Sequence, residues 1–140
     1  MITVAVSGGF DPLHVGHLHY LQAAKALGDR LVVILNSDDW LVQKKGYAFM
    51  PEGERAEILL GLRYVDEIYI LHSMRNDVSE ALLKVRPAIF AKGGDRSIET
   101  LPMAELDACH AIGAKVICGV GGDEKLQSSS WLVDKAKLHC

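Results

Sequence analysis

The 140-residue sequence lacks the features that mark several large function classes. Its three cysteines, Cys109, Cys118 and Cys140, form no C-x-x-C pair and no metal-like cluster. Their odd number, with no signal-peptide pattern ahead of them, predicts a reducing, cytoplasmic setting in which Cys109 and Cys118 serve as small buried hydrophobes. No apolar run approaches the roughly 20 residues that span a bilayer, so no membrane partner is expected. The net charge of -3 and the pI near 6.0 lack the broad positive field of a nucleic-acid binder. A local basic pocket for a small anion stays open. G-x-G-x-x-G, G-x-x-x-x-G-K-[ST] and H-E-x-x-H are all missing, which removes the usual dinucleotide fingerprint, the Walker loop and a metalloprotease site.

What is present reads as one domain over residues 1–140, with 49% hydrophobic residues and enough chain to bury a core. Short apolar runs at Ile2–Val6, Leu31–Leu35, Glu67–Leu71, Ala88–Ala91 and Lys115–Cys118 predict strands. Between them, helical spacing predicts helices at Val15–Leu27, Pro51–Leu62, Val78–Val85 and Leu101–Ile112, with a last helix at Ser129–Lys137. Gly28 and Gly113 stop two of them, and Pro51 opens another with Glu52 and Glu54 near its positive end. Continuous rather than alternating apolar strands, each followed by a helix, predict an α/β fold: a Rossmann-like, doubly wound, parallel five-stranded sheet covered on both faces. In such a sheet the ligand crevice lies beyond the carboxyl ends of the strands. The segments after strands one, two and four are therefore the candidates.

The first of these, Gly8-Gly9-Phe10-Asp11-Pro12-Leu13-His14-Val15-Gly16-His17, carries the most chemistry. Gly8 and Gly9 allow close approach of the backbone to a ligand. His17 falls in the first turn of the next helix, where free N–H groups and a partial positive charge suit phosphate. His14 and His17 are three residues apart, so both imidazoles face one ligand, and Gly16 between them removes an obstructing side chain. Two histidines without a third ligand make a poor zinc site, so no protein-held metal is expected.

The pattern G-x-F-D-x-x-H-x-G-H resembles the cytidylyltransferase-like nucleotidyltransferase superfamily, over nearly the whole chain. Two members look most similar, glycerol phosphate cytidylyltransferase and the adenylyltransferase domain that forms ADP-heptose. The resemblance implies that His14 and His17 bind phosphate and stabilise the transition state, with Asp11 shaping the site. Many relatives carry a hydroxyl or thiol residue where this chain has Gly9. It also implies triphosphate contacts for lysines after the second strand. Lys44 matches the first, while Gly46 occupies the second position and Lys45 stands one residue away. Asp38 and Trp40 precede them as candidate substrate-binding residues, together with Arg55, at a position where relatives also carry arginine. Arg63, in Leu62-Arg63-Tyr64-Val65-Asp66-Glu67, looks like the triphosphate-binding arginine of the glycerol phosphate enzyme, and arginine's planar fork suits two phosphate oxygens. Lys92-Gly93-Gly94-Asp95 looks more like the heptose enzyme's nucleotide motif. Ser128-Ser129-Ser130 matches a phosphate-holding S-T-T run, with Gln127 where relatives place an arginine.

The chemistry so implied is attack by an acceptor phosphate oxygen on the α-phosphate of a nucleoside triphosphate, with release of pyrophosphate. A phosphomonoester is mostly ionised at neutral pH, so no general base is needed, and catalysis reduces to positioning and charge stabilisation. His14, His17, Lys44 and Arg63 are the expected catalytic residues. Magnesium is the expected cofactor, held mostly by the nucleotide and water. The partners are a nucleoside triphosphate and a phosphorylated polyol or sugar; resemblance adds a homodimer. The Leu62–Glu67 run and the Asp38-to-Lys44 register favour CTP. The alternatives are an ATP-dependent enzyme forming an ADP-sugar and, in a different class, a non-catalytic nucleotide-binding module on the same fold.

Overall fold

The computed structural model describes residues 1–94 and 97–122, together with Lys135. Five strands, β1 (Thr3–Gly8), β2 (Arg30–Asn36), β3 (Glu67–Leu71), β4 (Ile89–Gly93) and β5 (Lys115–Val120), form one sheet in the order β3-β2-β1-β4-β5. Every pairing is parallel. Each strand therefore needs a crossover, and the helices α1 (Val15–Lys25), α3 (Glu52–Leu60), α4 (Ser79–Val85) and α5 (Met103–Ile112) supply it. The expected doubly wound sheet is thus present. The expected last helix at Ser129–Lys137 lies outside the described residues.

The two faces of the sheet have separate cores. On one, Val4, Val6, Val33 and Leu35 meet Leu21 and Ala24 of α1 and Leu59 of α3. On the other, Ala5, Ile34 and Phe90 meet Ala81 and Leu82 of α4 and Ala108 and Cys109 of α5. Successive residues of β1 serve opposite faces, and all three of Val4, Ala5 and Val6 are fully buried. That double burial is why the strands read as continuous apolar runs.

One element differs from the sequence reading. Residues after β2 were expected as a loop, and instead form the helix α2 (Asp38–Lys45). Ser37 caps it by accepting from the Trp40 N–H, Asp38 and Asp39 sit in its first turn, Lys44 and Lys45 in its last, and Gly46 closes it at φ 87°. Only Leu41 of this helix is buried, so it carries no apolar periodicity.

The winding reverses between β1 and β4. The chain leaves β1 toward β2 and β3, then returns to place β4 on the other side of β1. That switch point opens a crevice at the carboxyl ends of the strands.

Candidate active site

A cleft of about 490 Å³ occupies this crevice. Its floor is the end of β1 and the following loop, Ser7 to Asp11. Phe10 takes a positive φ of 50°, which drives its ring into the core, where it meets the edge of His17 at 4.8 Å between centroids.

His14 and His17 begin α1 as a reciprocal capping box. His14 Nδ1 accepts from the Gly16 N–H at 3.1 Å, and His17 Nδ1 accepts from the His14 N–H at 3.3 Å. The two rings stack with centroids 3.7 Å apart. These caps fix the protons. A neutral imidazole that accepts at Nδ1 carries its hydrogen on Nε2, so the His17 ring carries an N–H donor there. Burial, and next the adjacent His14, push the His17 pKa down to about 3. His17 is therefore neutral at pH 7 in the free protein, and it lines the cleft as a hydrogen-bond donor. Gly16 contributes its N–H to this arrangement as well as its small size.

Lys44 and Lys45, from the last turn of α2, line the cleft from the β2 side. Lys44 Nζ lies 4.9 Å over the Trp40 ring, and the Trp40 indole N–H is tied to the Arg75 carbonyl at 2.9 Å. Lys45 donates to the Asp11 carbonyl at 3.1 Å and lies 3.7 Å from its carboxylate. The two neighbouring lysines thus differ: Lys45 is braced against the first loop, and Lys44 stands on the indole at the mouth.

Asp11 and Arg55 tie together the loops around the cleft. The buried Asp11 carboxylate accepts from the Phe49 and Met50 N–H groups, each at 2.6 Å, so it holds the loop before α3. Arg55, expected to bind substrate, is fully buried. It donates to the carbonyls of Met50 (2.9 Å), Gly9 (2.8 Å) and Asn36 (2.8 Å), and to Asp38 Oδ1 at 2.8 Å. Its fork knots the ends of β1 and β2 together instead of meeting solvent. Asp38, the other expected substrate ligand, is its counter-ion and is absent from the cleft lining.

Arg63 stands away from the cleft. It sits between α3 and the start of β3, and a parallel sheet puts that turn at the amino ends of the strands, opposite the cleft. There its side chain is exposed against Tyr64, 5.2 Å from the ring centroid.

On the far side, Lys92 in β4 reaches the cleft and donates to Ser7 Oγ at 3.2 Å. Gly93 is needed for packing: a Cβ there would meet the Tyr20 ring at 2.9 Å, and Tyr20 in turn donates to the Ala91 carbonyl at 2.5 Å. Gly94, at φ 62°, turns the chain out of β4. Gly9 is tight as well, since a Cβ would stand 3.0 Å from Leu41. Asp95, Ser128, Ser129 and Ser130 lie outside the described residues.

Sequence reading missed the loop after β3. Arg75, Asn76, Asp77 and Val78 line the cleft, as does Glu105 of α5, which is only 4% exposed. The available signal was topological: β3 also ends at the carboxyl edge, and its loop carries a run of polar residues. Among the described residues no group of three or more His, Cys, Asp or Glu is placed to hold a metal ion. No helix among them is long and apolar enough to cross a membrane.

Comparison with known proteins gives the family. The cytidylyltransferase-like family model matches residues 5–112. A protein named FAD synthase from Thermococcus kodakarensis is 42% identical over 117 residues, covering 83% of this chain and 78% of its own. The bifunctional protein HldE of Shewanella piezotolerans is 35% identical over 125 residues; this chain spans 24% of its length. A lipopolysaccharide core biosynthesis protein from Thermoplasma volcanium superposes with a TM-score of 0.71 at 30% identity, covering 91% of this chain and 99% of that one. Thermotoga maritima TmcAL bound with alpha-thio ATP shares the fold, with a TM-score of 0.70 at 13% identity. A helix amino end capped by His14 and His17 over a parallel-sheet switch point, and relatives that match across most of the sequence, identify the chain as a nucleotidyltransferase of the cytidylyltransferase-like family.

Proposed function

We propose that the chain is an ATP-dependent adenylyltransferase that joins AMP to the phosphate of flavin mononucleotide, forming FAD and pyrophosphate. The observation that carries this reading is the cationic cleft over β1. The α1 amino end with the His17 N–H donor, Lys44 and Lys45 from α2, and Lys92 from β4 converge on it from three elements. Such a set suits an acceptor phosphate and a triphosphate brought together. The adenylyl donor and the flavin acceptor are supported by the similarity to FAD synthases, which extends over most of both chains.

The reaction asks little proton chemistry of the protein. An ionised oxygen of the flavin phosphate attacks the α-phosphorus, a new P–O bond forms, and the bond to the bridging oxygen breaks as pyrophosphate leaves. Lys44 and Lys92 oppose the repulsion between the two phosphates, and the α1 amino end and the His17 Nε2–H meet the charge that develops at the α-phosphate. His14 acts here as a positioning residue for His17. Magnesium enters with the triphosphate as part of the substrate, held mostly by the nucleotide and water.

The residues that favour CTP in the sequence carry less weight once placed. Leu62–Glu67 lies at the opposite end of the sheet and Asp38 is tied to Arg55, while Trp40, Leu41 and Lys44 of the Asp38-to-Lys44 register line the cleft. The test is pyrophosphate release by the magnesium-supplemented protein with ATP or CTP against flavin mononucleotide, sugar phosphates and polyol phosphates. ATP with the flavin is expected to be fastest and to yield FAD on chromatography. CTP favoured tenfold would sink the donor assignment, and release confined to another phosphomonoester would sink the acceptor. A homodimer is expected as well; light scattering that finds a monomer at micromolar concentration removes it.

A further inference from the structure

Glu105 has one carboxylate oxygen that the fold uses and one that it does not. Oε2 accepts from the Val78 N–H at 3.0 Å, tying α5 to the start of α4. Oε1 is buried and has no hydrogen-bond partner among the described residues. Lys92 Nζ makes a long ion pair with Oε1 at 3.9 Å, beyond hydrogen-bond reach, and donates to Ser7 Oγ at 3.2 Å. All three side chains line the cleft. A buried carboxylate oxygen left without a donor is costly, and holding α4 in place requires only the other oxygen. An acceptor-only group at a ligand cleft is satisfied by an O–H or N–H that arrives with the ligand.

The adjacent lysine narrows the ligand. Lys92 offers positive charge and donors, and 3.9 Å from it Glu105 offers an acceptor. A phosphomonoester with a hydroxyl on a carbon near its ester matches this pair: phosphate oxygens face Lys92 and the hydroxyl donates to Glu105. A phosphomonoester on a bare alkyl chain meets the lysine and leaves Oε1 without a hydrogen-bond donor. We propose that Glu105 is the specificity-determining residue for the acceptor, selecting polyol-type phosphates by accepting a hydroxyl hydrogen through Oε1. The proposal rests on the cleft being the acceptor site of the nucleotidyltransferase, and the ribityl phosphate of flavin mononucleotide belongs to the class it selects.

The test uses three matched pairs of acceptors: flavin mononucleotide against a flavin bearing a phosphopentyl chain, ribitol 5-phosphate against pentyl phosphate, and glycerol 3-phosphate against propyl phosphate. Pyrophosphate release is followed with ATP and with CTP. The unaltered protein should favour the hydroxylated member of its working pair by at least about tenfold in kcat/KM, the scale of a hydrogen bond to a charged group. Glu105→Leu should bring the two members within about threefold of each other while the KM for nucleotide stays unchanged. Glu105→Gln, which keeps an acceptor oxygen and the shape of the side chain, should fall between. A retained preference in folded Glu105→Leu overturns the proposal. So does an equal loss for both members, which a purely structural role would give. Should Glu105→Leu fail to fold, an unchanged preference in Glu105→Met, which keeps the side-chain length and removes both oxygens, overturns it. Turnover confined to a non-flavin pair removes the FAD reading and leaves the Glu105 comparison to be read on that pair. No turnover with any pair removes both.

Discussion

At the amino ends of the strands, Lys25 pairs with Asp66 and Arg30 with Glu67 in partly exposed ion pairs, and Arg63 lies on the surface beside Tyr64. At the carboxyl ends the pattern inverts. The buried polar residues among those described, Asp11, Asn36, Ser37, Arg55 and Glu105, all lie at this end of the sheet. Exposed pairs contribute little to stability, and such rims accept substitution. Buried polar groups persist only where hydrogen bonds satisfy them, and here they hold three loops and a helix start in fixed relation. The contrast teaches where the fold spends its polar groups: on rigidity around the cleft, with one oxygen of Glu105 kept in reserve.

The sharpest way to break the contrast is Arg55→Met. Removing one partner of a buried charged network is expected to cost about 3–5 kcal/mol of stability, because Asp38 and the three carbonyls lose their donors. Urea denaturation measures it; a loss under about 1 kcal/mol would mean that the network is not what holds β1 to β2.

His17→Ala comes next. Loss of a donor aimed at developing charge typically costs about 3 kcal/mol in the transition state, or a hundredfold in kcat. His14→Ala should approach that value by freeing the His17 ring. Near-normal turnover in either folded variant would refute the phosphate role.

A smaller effect concerns acid. Folded His17 takes up its proton only near pH 3, whereas an unfolded histidine does so near 6.5. Between those values the unfolded chain binds more protons, so stability drops as pH falls through that window and is fully present above it. Melting temperatures of the protein and of His17→Gln, measured from pH 7 to pH 4, should diverge, the variant losing less. Parallel curves would show that burial of His17 is not the cause.

The smallest effect is the one the resemblance argues against. Arg63→Ala should change stability by under about 0.5 kcal/mol and kcat/KM by less than twofold, since it is exposed and on the wrong end of the sheet. A hundredfold loss of activity would bring Arg63 back as a triphosphate ligand.

Much of this was legible in the sequence. Doubly buried strands announce themselves as apolar runs, and the loop that joins Gly8 to His17 announces itself by residue types at fixed spacing within one segment. The same locality explains α2's invisibility: its caps and charges are all present, but with Leu41 as its single buried residue there is no periodicity to detect. Spacing along the chain determined the parallel α/β architecture and the histidine pair at the start of α1, and the resemblance that this pair carries implied the class of phosphate chemistry. The tertiary structure alone decided which end of the sheet each arginine occupies, that Arg55 is a buried knot, and that Lys92 and Glu105 stand 3.9 Å apart across one cleft. Those facts depend on strand order and on burial, which join residues far apart in the chain, and local sequence carries no record of the distance between them.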